Sequence, residues 1–123
     1  MRAYDSDFLG IADNISKKSD AKQQMGAVIV KYKDILSKGY NRNVSLYKIL
    51  TKYGLMYSIH AEMDALRKIP YGEAKGATIY VSRLGGRTSR PCDNCKIILK
   101  KAGIKRAVFY DEQGNMDVLD FRS

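Results

Sequence analysis

The sequence predicts an α/β fold, a partly parallel sheet covered by helices, and three observations predict it. Short β-branched runs alternate with longer segments of helical periodicity. Two of the strand-like runs are separated by a helix, the kind of crossover that parallel neighbours require. Turn residues fall between the runs, at Pro70 and Gly72, at Gly103 and at Gly114.

The first helix is expected over 6–18, where Phe8, Ile11, Ala12 and Ile15 recur at helical spacing and Ser6 stands at the N-cap. Residues 25–32 (MGAVIVKY) are β-branched and too few for a helix, so they read as a buried strand. Lys33 and Asp34 make a tight turn into a second strand at 35–40, and the two strands form a hairpin. Residues 41–58 are polar and tyrosine-rich (Tyr47, Tyr53, Tyr57), a loop with a short helical piece. Residues 58–68 read as a helix with Ile59, Met63 and Leu66 on one face, ended by Pro70 and Gly72. A third strand follows at 77–82. Residues 92–102 form a helix opened by Pro91 and stopped by Gly103. Residues 106–110 are a fourth strand and 116–121 a fifth. The Gln113-Gly114-Asn115 turn between them folds the last two strands into an antiparallel hairpin.

A chain of 123 residues fits one domain, 1–123. With 45% hydrophobic and 28% charged residues it is not a disordered tail. The longest apolar run, 26–30, is far short of a membrane span. Two aspartates interrupt the N-terminal MRAYDSDFLG where a secretion signal needs apolar residues, so a cytoplasmic protein with no membrane partner is expected. Lysine and arginine number 22 against 13 acids, a net charge of +9. That excess favours an anionic partner, either a nucleotide or a nucleic acid.

The chemistry concentrates in two short motifs, His60-Ala61-Glu62 and Pro91-Cys92-Asp93-Asn94-Cys95, each opening a helix. These helices flank the strand at 77–82, and helices on one face of such a sheet start at the same edge. One imidazole and two thiols at i, i+3 can then meet one ion. One nitrogen and two sulfurs suit Zn2+. The chain has no further cysteine or histidine to close a structural site. The shortage points to a catalytic zinc with an open fourth position. Glu62, two residues from His60, lies close enough to move a proton between water and a substrate nitrogen.

H-x-E followed by P-C-x-x-C resembles the zinc-dependent cytidine and deoxycytidylate deaminase superfamily. MGAVIV, GYN at 39–41, HAEMDAL, ATIYV and GIKRAVFY fall in that superfamily's order. The resemblance implies a three-layer α/β/α fold with a five-stranded mixed sheet. It implies zinc ligands His60, Cys92 and Cys95, a proton shuttle Glu62, Asn41 beside the sugar or base, and the Ala61 backbone at the amino-pyrimidine edge. The terminal hairpin resembles the layout of free-nucleoside deaminases more than that of polynucleotide editors. The loop at 82–90 (SRLGGRTSR) is longer than in similar nucleotide deaminases. Its Arg83, Arg87 and Arg90 are candidate phosphate contacts.

The function expected is zinc-dependent hydrolytic deamination of a small cytosine nucleoside or nucleotide, by a homo-oligomer. The alternatives are a deaminase of single-stranded DNA or RNA, including transfer-RNA adenosine, and a non-catalytic zinc fold. The intact Glu62 argues against the last.

Overall fold

The computed structural model describes residues 2–43, 58–85 and 88–121. Its elements are α1 (Asp5–Ser16), β1 (Met25–Lys31), β2 (Asp34–Tyr40), β3 (Arg42–Asn43), β4 (Ser58–Ile59), α2 (Ala61–Arg67), β5 (Thr78–Arg83), α3 (Asp93–Lys101), β6 (Arg106–Tyr110) and β7 (Met116–Asp120). Five strands form one sheet in the order β2-β1-β5-β6-β7, and β3 pairs with β4 as a short separate ribbon. β5 and β6 are parallel, joined through α3. β1 runs antiparallel to both β2 and β5. The expected mixed sheet is present. So is the terminal hairpin, with Tyr110 facing Met116 and Arg106 facing Asp120 in antiparallel register. Its turn is held by Asp111, whose Oδ1 accepts from the backbone N–H groups of Gln113 and Asn115, both at 2.9 Å.

The central strands are buried on both faces, so alternate residues feed two cores. Ala27, Ile29, Ile79, Val81, Ala107 and Phe109 point toward α2 and α3. Val28, Val30, Tyr80 and Val108 point the other way, onto Leu9, Ala12 and Ile15 of α1. This gives three layers, with α2 and α3 on one side and α1 on the other.

Two glycines let the helices sit close. A Cβ on Gly39 of β2 would lie 2.3 Å from the Ala65 nitrogen and 2.6 Å from the Ala61 oxygen of α2. On Gly26 of β1 it would lie 2.2 Å from the Ala12 oxygen of α1. Backbone cannot yield as a flexible side chain can. Gly39→Ala is therefore expected to cost about 1–3 kcal/mol, as overpacking does, and to lower activity by shifting α2. Urea unfolding checks this, and an unchanged midpoint would show that α2 can slide.

Three local expectations are corrected. The first hairpin turns at Tyr32 and Lys33, one residue early, with φ of 54° and 65°. The first helix begins at Asp5, and no side chain caps it, so Ser6 is not the N-cap. Its apolar face also includes Leu9, fully buried. The second helix begins at Ala61, because Ser58 and Ile59 pair as β4 with β3. Most of the tyrosine-rich segment, with Tyr47, Tyr53 and Tyr57, lies outside the described residues, as does Arg87. No described helix is long and apolar enough to cross a membrane.

Candidate active site

α2 and α3 share one core, and each presents its N-cap to the same place. His60 caps α2 in an extended conformation, with φ −72° and ψ 153°. Cys92 caps α3 in nearly the same conformation, φ −67° and ψ 166°, and its sulfur accepts the Cys95 backbone N–H at 3.4 Å. His60 Nδ1 lies 3.3 Å from Cys95 Sγ and 3.8 Å from Cys92 Sγ. All three donor atoms fall within 4.8 Å of one another. The expected convergence of the two motifs is therefore realised.

Cys95 and Glu62 form the buried wall of this cluster, while His60 and Cys92 are exposed. Glu62 is only 3% exposed. Burial pushes its carboxyl above the ordinary value, against the pull of its own backbone N–H, His60 and the Cys95 thiol. Burial likewise pushes the Cys95 thiol up, and the neighbouring Glu62 and Cys92 add to the shift. Two sulfurs and a carboxylate crowded at one point call for a compensating cation. Donors about 3.5–3.8 Å apart are what tetrahedral zinc with Zn–N near 2.0 Å and Zn–S near 2.3 Å requires. The cluster fits a metal ion in spacing and in donor type.

The loop into Cys92 is fastened by Ser89, which is fully buried. Ser89 Oγ donates to the Val81 carbonyl at 2.7 Å and accepts the Tyr110 N–H at 2.9 Å. It ties the ends of β5 and β6 together just before the metal motif. Asp64 does the same for α2. This fully buried carboxylate accepts the Tyr40 N–H at 3.1 Å and pairs with Arg42, Arg67 and Lys68. The guanidinium and backbone donors hold its carboxyl below the ordinary range although burial alone would raise it. Neither residue stood out in the sequence. Arg67 and Lys68 at i+3 and i+4 were a usable signal for Asp64; Ser89 offered none.

The other sequence candidates are placed as follows. Ala61 is buried between His60 and Glu62. Asn41 straps the start of β1: its Oδ1 accepts the Met25 N–H at 2.8 Å and its Nδ2 donates to the Gln23 carbonyl. Arg90 is exposed, with its guanidinium 5.5 Å from the Phe109 ring centre. Arg83 lines a groove of about 350 Å³ with Lys22, Gln23 and Gln24.

A family model described as the cytidine and deoxycytidylate deaminase zinc-binding region matches residues 2–111. The chain belongs to that family. As in the family's other hydrolytic deaminases, zinc is the cofactor to which this cluster corresponds. Among similar deaminases, the deoxycytidylate deaminase of Mycobacterium phage D29 is 29% identical over 89% of this chain and 95% of its own length. That of Homo sapiens is 29% identical over 86% of this chain, which spans only 64% of the human protein. The fold is that of the dCMP deaminase from cyanophage S-TIM5, solved with dCMP and dUMP. The TM-score is 0.67 at 23% identity, over 90% of this chain and 82% of that one. It is equally that of a cytidine deaminase from Burkholderia pseudomallei, with a TM-score of 0.71 at 20% identity over 98% and 94% of the two chains.

Proposed function

We propose that this deaminase acts on a cytosine mononucleotide, deoxycytidylate, converting it to the uracil nucleotide. The observation that carries the reading is the meeting of His60, Cys92 and Cys95 beside the buried Glu62 carboxylate. Zinc, when bound, supplies Lewis-acid activation of the attacking water. His60, Cys92 and Cys95 would hold it, one nitrogen and two sulfur donors of the kind zinc takes. Glu62 takes a proton from the water on a carboxylate oxygen. It passes that proton to the ring nitrogen, then takes the second proton from the newly formed hydroxyl and delivers it to the departing amine. A C–O bond forms at the amine-bearing ring carbon, the C–N bond breaks, and ammonia leaves. The native protein is expected to contain about one zinc per chain, and Cys95→Ser to lose it. Elemental analysis measures this, and full zinc content in Cys95→Ser would remove Cys95 from the ligand set.

The phosphate preference is supported by the relatives named deoxycytidylate deaminase and by the net charge of +9. Arg90, exposed two residues before Cys92, supports it too, since its planar fork can hold a phosphate bidentately. Asn41 positions the start of β1, its side-chain amide engaged by Met25 and Gln23 and its backbone by Met25 and Ser19. Tyr71 and Ile97, exposed large apolar residues, support self-association. A second reading, a free nucleoside, is favoured by the antiparallel β6–β7 pair.

One panel separates these readings. It compares kcat/KM for cytidine, deoxycytidine, their monophosphates and a cytosine oligonucleotide, in wild type and in Arg83→Ala, Arg87→Ala and Arg90→Ala. The monophosphate should be preferred, and at least one variant should erase about tenfold or more of that preference, the worth of a charge-assisted hydrogen bond. Equal efficiency on nucleoside and monophosphate, unchanged in all three variants, would establish the nucleoside reading. Oligonucleotide turnover that falls steeply with salt would move the substrate to a polymer.

A further inference from the structure

β5 and β6 part from one another before they end. Their parallel register holds from Thr78 opposite Arg106 to Tyr80 opposite Val108, yet β5 runs on to Arg83 and β6 to Tyr110. Carried two residues further, that register would have the Tyr110 N–H donate to the Val81 carbonyl. Instead a side-chain hydroxyl stands between them. Ser89 Oγ accepts the Tyr110 N–H at 2.9 Å and donates to the Val81 carbonyl at 2.7 Å, so one ladder bond becomes a bridge of two. The same loop takes the other half of Tyr110. Its carbonyl accepts from the Ser89 N–H at 3.0 Å and from Thr88 Oγ1 at 3.1 Å. A hydroxyl can accept one bond and donate another at once, which this place requires.

The wedge is joined to the metal cluster by a short, stiff stretch of chain. Cys92 lies three residues after Ser89. Between them Pro91 is buried, and its ring fixes its own φ and restricts that of Arg90. The Arg90 N–H donates back to Thr88 Oγ1 at 3.3 Å. Cys92 then caps α3, with its sulfur on the Cys95 N–H and 3.8 Å from His60 Nδ1. Little slack separates the Ser89 hydroxyl from that sulfur.

We propose that Ser89 is a positioning residue for the reaction: its hydroxyl, wedged between the parting strands, sets the place of Cys92 in the metal cluster and so how firmly the ion is held. This rests on His60, Cys92 and Cys95 being the zinc ligands. With alanine at 89, the Val81 carbonyl and the Tyr110 N–H have each other as nearest partners. Closing that bond pushes the loop out and draws Cys92 from His60; leaving it open strands two buried polar groups and loosens the loop. Either way the ligand shifts. Groups that orient metal ligands from outside typically matter about 10–100-fold in metal affinity. A hydroxyl that only satisfied buried backbone would, once removed, lower stability and leave the metal affinity of the folded protein alone.

The test is zinc affinity by competition with a chromophoric chelator, beside the visible spectrum of the cobalt-substituted protein and the urea midpoint. Ser89→Ala should bind zinc at least about tenfold more weakly while folded, and its cobalt spectrum should change with the ligand geometry. Thr88→Val, which removes one lesser bond of the same loop, should move both readouts less and in the same direction. Ile15→Val, in the core on the α1 side, should lower the midpoint and move neither. Wild-type zinc affinity and cobalt spectrum in Ser89→Ala would overturn the proposal; if that variant does not fold, the same result in Thr88→Val would do so. Equal weakening in Ile15→Val would overturn it too, by making zinc loss a general consequence of instability. Cys95→Ser separates the two readings. If it loses zinc while Ser89→Ala keeps it, only the role of Ser89 falls; if it keeps zinc, the ligand set falls and this proposal with it.

Discussion

Glu62→Gln is expected to keep the fold and the metal while losing nearly all turnover. The substitution preserves shape at a position only 3% exposed, so packing is undisturbed. An amide cannot accept the proton that the carboxylate takes from water. General acid–base groups contribute typically about 10²–10⁴-fold in rate. The loss should lie at the upper end, since this side chain serves both the attack and the departure of ammonia. Ammonia release, zinc content and thermal midpoint are measured together. Turnover near wild type in a zinc-loaded, folded Glu62→Gln protein would sink the assigned role. Low turnover with lost zinc would instead make the residue part of the metal cradle.

The largest effect on stability is expected at Asp5. It sits fully buried on the α1 side of the sheet, receiving two hydrogen bonds from Arg106, at 2.8 and 3.0 Å, and one from Tyr80, at 2.6 Å. Arg106 is itself only 5% exposed. Asp5→Ala leaves that guanidinium buried without its counter-charge, which typically costs about 3–5 kcal/mol. Adding Arg106→Met should recover part of the loss, and a double-mutant cycle measures the coupling.

Acid should act through the same group. Burial alone would raise the Asp5 pKa, but the Arg106 guanidinium, the Tyr80 hydroxyl and the Arg2 N–H outweigh it and hold it at about 2 against an ordinary 3.8. The folded value is the lower one, so the stabilisation is present in full above the unfolded value. It fades as pH falls from about 4 toward 2, and amounts to about 2 kcal/mol. Urea unfolding of wild type and Asp5→Asn between pH 6 and pH 2 should show their difference shrinking over that window. A difference independent of pH would assign the effect to packing alone.

The metal cluster was legible because its residue types are scarce: with one histidine and two cysteines, their meeting has few alternatives. The strands were legible because β1, β5 and β6 are buried on both faces and so read as unbroken β-branched or aromatic runs. The misplacements have tertiary causes. The start of α1 is set by Asp5, whose carboxylate takes the Arg2 N–H at 2.9 Å and is itself held by Arg106; no local pattern around Ser6 records that. The first turn was placed on Lys33 and Asp34 because aspartate favours turns, whereas Tyr32 and Lys33 take the left-handed conformations. Ile59 fitted the helical face of α2 by spacing, yet pairs with Arg42 in the β3–β4 ribbon. The bracing of β1 by the Asn41 amide, between Met25 and Gln23, is a contact that no local pattern shows.

The Asp5–Arg106 contact joins residues 101 apart in sequence, and His60 meets Cys95 across 35. On the ribosome, the first of these partners emerges long before the second. At about 5–20 residues per second, the Asp5 carboxylate waits roughly 5–20 s for its guanidinium. Through that interval α1 has β1 and β2 to lean on but lacks β6. Until β6 brings Val108, the core on the α1 side stays incomplete, an opening for holdase chaperones. The cysteines of the reaction site emerge only shortly before β6 and β7, the strands that complete the sheet.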